Sequence, residues 1–324
     1  MVYADHTFYQ IIMYAVVERF YGGGEMKDMY TLSMKIGHGV TSHVYRVHED
    51  PSVVIKVFLT ALDFDAERRI IARIMPSSSK VYKGIVKSEK GVSGILMYLC
   101  TSICASIQPS LYNGNSRLLE MQCSHHARNL LAQLARLHAA CIIHNDVKVS
   151  NILLNTDGDA VLVDYSHSVL TEPTLFYYGH EKNSDGLILC GNYIFQSPEV
   201  LIMVEQSDKK NNMTRSGEKL FYTPKSDIFS FGCTLYYLLC DEFPFGNVPS
   251  SVKNIPLIME RIYGRRYLDS MRFKRLHPIT QDFIKLLLRP KRIYRPTAKQ
   301  ALAHPFVNSF AAHLKMHMLL RDQH

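Results

Sequence analysis

The run from His144 to Ser166, HNDVKVSNILLNTDGDAVLVDYS, constrains this chain more than any other part of it. Two carboxylates and a carboxamide, Asp146, Asn151 and Asp164, stand on two polar loops. Between those loops lie the short apolar runs Ile152–Leu154 and Val161–Val163, parted by Asp157-Gly158-Asp159. Apolar runs flanking an Asp-Gly turn predict a β-hairpin, here with functional loops at its ends. Such a set of groups suits phosphoryl transfer. One carboxylate orients a hydroxyl, while the carboxamide and the second carboxylate hold magnesium ions against ATP phosphates.

Composition narrows the setting. The 324 residues are 47% hydrophobic and 20% charged, a globular balance with enough chain for two lobes or one large domain. Net charge is +8, from 37 Lys and Arg against 29 Asp and Glu, which favours anionic ligands or partners. Seven cysteines without a repeated close-pair pattern predict a reducing, intracellular compartment and no disulfide framework. The apolar run Ile11–Val17 lacks a basic flank and is too short to span a bilayer, and no later stretch is long enough either. No membrane association is therefore expected.

Along the chain, residues 1–30 end in Gly22-Gly23-Gly24 and read as an N-terminal extension. Alternation over 31–58 predicts three strands, Ala61–Met75 a helix ending before Pro76, and Ile95–Leu99 a further strand. From about residue 122 the pattern turns helical, with Leu130, Leu131, Leu134, Leu137 and His138 on one stripe. Further helices are expected near 225–240, 279–288 and 297–303. The order implies an α+β, bilobal fold: a small β-rich N-lobe over 31–99 and a larger, mainly helical C-lobe over 100–308. Residues 205–220 read as an inserted surface loop and 309–324 as a tail.

Several motifs fall into one register. Gly37-His38-Gly39-Val40-Thr41-Ser42-His43-Val44 resembles the G-x-G-x-x-G-x-V loop of the eukaryotic protein kinases, with Ser42 in the third glycine position. Val53-Val54-Ile55-Lys56 resembles their V-A-I-K strand, and His144-Asn145-Asp146 with Asp164-Tyr165-Ser166 their H-R-D and D-F-G elements. Gly191–Glu199 matches the spacing of G-T-x-x-Y-x-A-P-E, Asp227–Gly232 resembles D-x-W-S-x-G, and Arg295-Pro296 with His304-Pro305-Phe306 resembles the end of the domain. The likeness covers about residues 31–308.

That resemblance implies a serine/threonine protein kinase that uses ATP with Mg2+, or Mn2+, and acts on protein substrates. It implies Asp146 as the group that orients the substrate hydroxyl, and Lys148, found at this place in serine/threonine kinases, as a cation for the transferred phosphoryl. It makes Asn151 and Asp164 the metal ligands. Lys56 would hold the α- and β-phosphates in a pair with Glu67, only 11 residues on, which implies a shortened helix. Gly37, Gly39, Ser42, Val44, Met97 and Leu99 join Lys56 around the nucleotide. Asp227 would brace the catalytic loop through its amides, and Arg295 would pair with Glu199 in a buried bridge.

Three departures refine the expectation. Asn145 replaces the arginine that reads a phosphorylated activation loop, so activity without that phosphorylation is expected. Tyr165 keeps an aromatic wedge, while Ser166 removes a hinge glycine. Together these features look similar to the protein kinases conserved among herpesviruses, which would imply a viral protein in the host nucleus or cytoplasm. Ser42 and Ser166 also suit an ATP-binding pseudokinase scaffold. A small-molecule kinase of the aminoglycoside type shares the Asp–Asn arrangement, but Ser197-Pro198-Glu199, Asp227 and Arg295 argue against it. The basic, aromatic-interleaved run Arg261–Arg275, with Lys291-Arg292, reads as a solvated face in preference to a nucleic-acid surface.

Overall fold

A computed structural model describes residues 12–17, 26–74, 80–88, 91–107, 116–170, 193–207 and 222–310. Gly191 and Asn192, residues 208–220 of the expected insertion, residues 311–324 and the first eleven residues lie outside that set. The chain divides into two compact units. One holds residues up to Cys100 together with Asn155–Asp157, and the other holds the remainder.

The N-terminal unit is a six-stranded antiparallel sheet with one helix. Its strands are β1 (Ile12–Val17), β2 (Met26–His38), β3 (Ser42–Val47), β4 (Val53–Phe58), β5 (Tyr82–Lys87) and β6 (Ser93–Tyr98), in the order β1-β2-β3-β4-β6-β5. The helix α1 (Ala61–Ile74) follows β4. Period-two alternation sorts the sheet into two faces. Leu32, Val47, Val53, Ile55, Val86 and Leu96 pack together on one face. Val54, Lys56 and Phe58 alternate to the other. There Phe64, Glu67, Ile70 and Ile71 are the buried residues of α1, spaced three and four apart along one side.

Two sequence expectations change here. The segment 1–30, read as an extension outside the lobe, supplies β1, which pairs antiparallel with β2 from Ile12↔Thr31 to Val17↔Met26. Strand β2 accordingly begins at Met26 and not at residue 31. Nor is α1 short: at 14 residues it has full length. The compact spacing from Lys56 to Glu67 arises in the connection, where only Leu59 and Thr60 separate β4 from α1. Thr60 Oγ1 accepts from Asp63 N at 3.1 Å and starts the helix at once.

The C-terminal unit opens with β7 (Thr101–Ser102) and α2 (Ile103–Ser106), followed by the long helix α3 (Ser116–Ala139). Leu130, Leu131, Leu134 and Leu137 are buried along it. Then come β8 (Ile142–Ile143), β9 (Ile152–Leu154), β10 (Ala160–Leu162) and β11 (Val169–Leu170). Strands β9 and β10 form the antiparallel hairpin expected around Gly158, and β8 pairs with β11. The rest is helical: α4 (Pro198–Ser207), α5 (Pro224–Cys240), α6 (Ile255–Tyr263), α7 (Met271–Lys274), α8 (Pro278–Leu287), α9 (Ala298–Leu302) and α10 (Pro305–Asn308).

Helix α5 runs through the middle of this unit, and 14 of its 17 residues are buried. It approaches α8 at Gly232, where a Cβ would lie 2.8 Å from Leu287 Cβ and 2.9 Å from Leu288 Cδ2. Only glycine permits that approach. Two aromatic residues of the basic run are core, while its third, Tyr263, is exposed. Tyr267 and Phe273 are buried against Tyr236, with ring centroids 6.1 and 5.9 Å away. Among the described residues no helix is long and apolar enough to cross a membrane.

Candidate active site

The loop after β8 is held by its backbone. Asp227, in the first turn of α5, accepts from His144 N at 2.9 Å through Oδ2 and from Asn145 N at 2.8 Å through Oδ1. His138 Nε2 reaches the same Oδ2 at 2.9 Å. From the opposite side, Ser168 Oγ donates to His144 O at 3.1 Å and Gln196 Nε2 to Asn145 O at 3.4 Å. Asn145 sits at φ 62°, a left-handed conformation that asparagine tolerates better than most residues. The His144 ring is fully buried 5.2 Å from the Tyr165 ring. Burial lowers its pKa, against the opposing pull of the Asp227, Asp146 and Asp164 carboxylates.

This bracing presents Asp146. Its Oδ2 receives Asn151 Nδ2 at 2.8 Å and Lys148 Nζ at 2.8 Å, with His167 Nδ1 at 3.7 Å. Among the described residues Asp146 Oδ1 takes no hydrogen bond. One carboxylate oxygen is thus fixed and the other is available to a hydroxyl. Asn151 closes the 3₁₀ turn Val149–Asn151 and uses Nδ2 again on Asp146 O at 2.9 Å. Its Oδ1 takes only a long contact from Ser150 Oγ, at 3.5 Å, and is the group left for a hard cation.

Asn151 O accepts from Val163 N at 2.9 Å, which ties the loop to the end of the hairpin carrying Asp164. Asp164 is at φ 68°, and Tyr165 after it is buried with its hydroxyl on Leu162 O at 3.1 Å. A residue with a side chain held at positive φ costs on the order of 1 kcal/mol. Here the buried tyrosine anchors the turn that accepts this strain.

In the N-terminal unit, Lys56 Nζ lies 2.9 Å from Glu67 Oε1 and 2.7 Å from Oε2. Both side chains are buried, at 7% and 1% exposure. Glu67 occupies a helix face that is otherwise apolar, so each charge depends on the other to offset its desolvation. The hairpin between β2 and β3 closes with Gly39 N donating to Ser42 O at 2.8 Å. Gly37 pairs with Val44, and Val44 in turn with Lys56, so the loop and the lysine share one register. Ser42 and Met97 are buried, while Val40 projects from the tip. Met97 pairs with Val54 across β6 and β4, and Leu99 N donates to Ser52 O at 2.7 Å.

The residue match extends to the whole domain. A family description, the protein kinase domain, fits residues 30–307. The chain belongs to the protein kinase family. Among its relatives, mouse (Mus musculus) sperm motility kinase 3A is 27% identical over 227 residues, 69% of this chain and 37% of that protein. Serine/threonine-protein kinase dst2 of Dictyostelium discoideum is 27% identical over 303 residues, 91% of this chain and 24% of that one. The human (Homo sapiens) hormonally up-regulated neu tumor-associated kinase is 27% identical over 220 residues, 65% of this chain and 26% of that protein. The chain therefore spans only between 24% and 37% of the length of these relatives.

A second brace lies behind the loop. Arg295 Nη1 and Nη2 meet Glu199 Oε1 and Oε2 at 2.8 and 2.5 Å, a bidentate pair. The guanidinium also donates to Lys225 O, Arg289 O and Pro290 O and lies over the Phe229 ring. A fully buried arginine is acceptable here because its donors are matched one by one. Sequence reading missed three contributors: His138, His167 and Gln196. His138 was counted within an apolar stripe, and a polar group at such a place was the available signal. His167 and Gln196 gave none, because their partners lie 21 and 51 residues away.

Proposed function

We propose that this chain transfers the γ-phosphoryl group of ATP to serine or threonine hydroxyls of protein substrates. The observation that carries the reading is the asymmetric fixing of Asp146. Asn151 and Lys148 hold Oδ2, and Oδ1 is left to orient a substrate hydroxyl and take up its proton. Lys148 stands where it can offset charge on the transferred group. Lys56, kept in place by Glu67, binds the nucleotide phosphates, with Gly37, Gly39, Ser42, Val44, Met97 and Leu99 completing that part of the site. Asn151 Oδ1 and the Asp164 carboxylate are two hard oxygen donors, the kind and number that Mg2+ takes from a protein when phosphates complete its shell. Bound there, Mg2+, or Mn2+ in the same oxygen set, supplies charge neutralisation at the phosphates.

Activity without activation-loop phosphorylation belongs to the same reading. Asn145 is neutral, and its Nδ2 donates to His167 O at 3.4 Å. It offers no cation to a phosphate and is engaged with the turn that follows Asp164. The herpesviral likeness rests on Asn145, on Asp164-Tyr165-Ser166 and on the compact divergent lobe, features that a divergent cellular or other large-DNA-virus kinase would share, and a viral, host-nuclear setting belongs to that likeness. The test is incubation with Mg·ATP and a generic basic protein, followed by mass spectrometry. Phosphoserine or phosphothreonine in the acceptor is the expected product. Thermal stabilisation by Mg·ATP with no phosphorylated product would instead make the chain an ATP-binding scaffold.

A further inference from the structure

Two cavities open side by side in the C-terminal unit, where α6 and α8 end. One, of about 330 Å³, is lined by Arg265, Tyr267, Asp282, Lys285 and Arg289 among others. The other, of about 490 Å³, is lined by Tyr263, Arg265, Arg289, Pro290, Lys291 and Tyr294. Arg265 and Arg289 belong to both. The rim carries Tyr263 at 53% exposure and Tyr294 at 56%.

Charge in this place is one-sided. Arg265, Lys285, Arg289 and Lys291 give four cations against one carboxylate, Asp282, whose Oδ2 already meets His304 Nε2 at 3.2 Å. Among the described residues none of the four has a carboxylate within salt-bridge distance. Basic residues at helix C-termini often answer the helix dipole. The ends of α6 and α8 supply roughly half a negative charge each, about one in total. That leaves most of the positive charge without a counterpart. The backbone makes the arrangement at some expense, since Arg265 adopts φ 51°.

We propose that these twin cavities bind an acidic peptide segment carrying an aromatic or aliphatic side chain. The carboxylates would meet Arg265, Arg289 and Lys291, and the apolar side chain would lie between Tyr263 and Tyr294. Two pockets sharing an arginine wall suit neighbouring side chains of an extended peptide. A single-stranded nucleic acid needs a basic groove that follows many phosphates with successive stacking platforms, and here the cations cluster in one short stretch. The partner's being a protein substrate rests on the proposed kinase activity, but the binding itself does not.

The experiment measures binding with no ATP present. A fluorescein-labelled peptide with glutamates on both sides of one phenylalanine is titrated with wild-type protein and with Asp146→Asn. Equal saturable binding to both is expected, falling as salt rises because the site is exposed to screening. Replacing the glutamates by glutamine, or making the double variant Arg265→Glu/Arg289→Glu, should weaken binding about ten-fold or more. If that variant does not fold, Arg265→Gln/Lys291→Gln serves instead, with a loss of at least about three-fold expected. Unchanged binding in folded variants, or no binding by the wild type, overturns the proposal. So does a single-stranded oligonucleotide that binds more tightly than the peptide and is lost in the same variants. A wild-type protein that binds the peptide but transfers no phosphate would count against the catalytic reading alone.

Discussion

Replacing Asp227 by asparagine tests how the fold serves the chemistry. Three donors converge on this carboxylate: His144 N and His138 Nε2 on Oδ2, and Asn145 N on Oδ1, all between 2.8 and 2.9 Å. Asparagine keeps one acceptor oxygen and turns the other into a donor, aimed at groups that are themselves donors. One or two bonds to an ionised acceptor are lost, according to which side the amide nitrogen takes, each contributing about 1.5–3 kcal/mol, so the variant should lose about 1.5–6 kcal/mol of stability. That is a large share of a typical total of about 5–15 kcal/mol. The backbone at His144 and Asn145 also sets where Asp146 points, and a displacement near 1 Å costs about 100-fold in rate. Urea unfolding should therefore show the stability loss, and steady-state kinetics a fall in kcat of about 100-fold. Binding of Mg·ATP should change by no more than about two-fold in what depends on Lys56 and Glu67, which are remote in the chain and share no partner with Asp227. A variant within about 1 kcal/mol of wild type and with kcat within about two-fold would refute the bracing argument, because a lost charge-assisted pair cannot be that small.

Three further outcomes follow from the same structure. Lys56→Met leaves Glu67 buried without its cation and should cost about 3–5 kcal/mol. Adding Glu67→Gln should restore much of that stability in urea melts while turnover stays absent. Burial pushes the pKa of His126 down from 6.5 to about 4. The unfolded chain then binds more protons than the folded one between those values, so stability falls as pH drops from about 6.5 to about 4, by up to about 3 kcal/mol. His126→Leu should flatten that part of a stability–pH profile. Exhaustive phosphatase treatment should leave the initial rate within about two-fold, since Asn145 presents no cation to a phosphorylated loop.

The parts of this molecule that were legible in sequence are those where local pattern and chemistry coincide. The hairpin β9–β10 followed from two short apolar runs about Gly158, and Lys56 from its place in a β-branched strand. Helices α5, α8 and α9 began where Pro224, Pro278 and the Thr297–Gln300 capping box mark helix starts. What escaped depends on distant pairing. Strand β1 is an apolar run like many others until β2 lies beside it, although a Gly cluster between two such runs is a hairpin signal that was there to use. Tyr267 and Phe273 looked like surface aromatics among arginines, because only their ring contacts with Tyr236, edge-on and stacked, show them to be core. Glu120 is buried by residues far along the chain, with Oε2 on His277 N at 3.0 Å and on the Thr280 hydroxyl. No local pattern announces such a partner.

The central claim is that Asp146 orients the acceptor hydroxyl while other residues hold ATP. The most direct measurement is the single-turnover rate of phosphate transfer from Mg·ATP to a protein acceptor, for wild type and Asp146→Asn, alongside Mg·ATP affinity for both. The account predicts that the variant binds Mg·ATP as the wild type does and transfers phosphate at least about 100-fold more slowly. Equal transfer by the two proteins would contradict it.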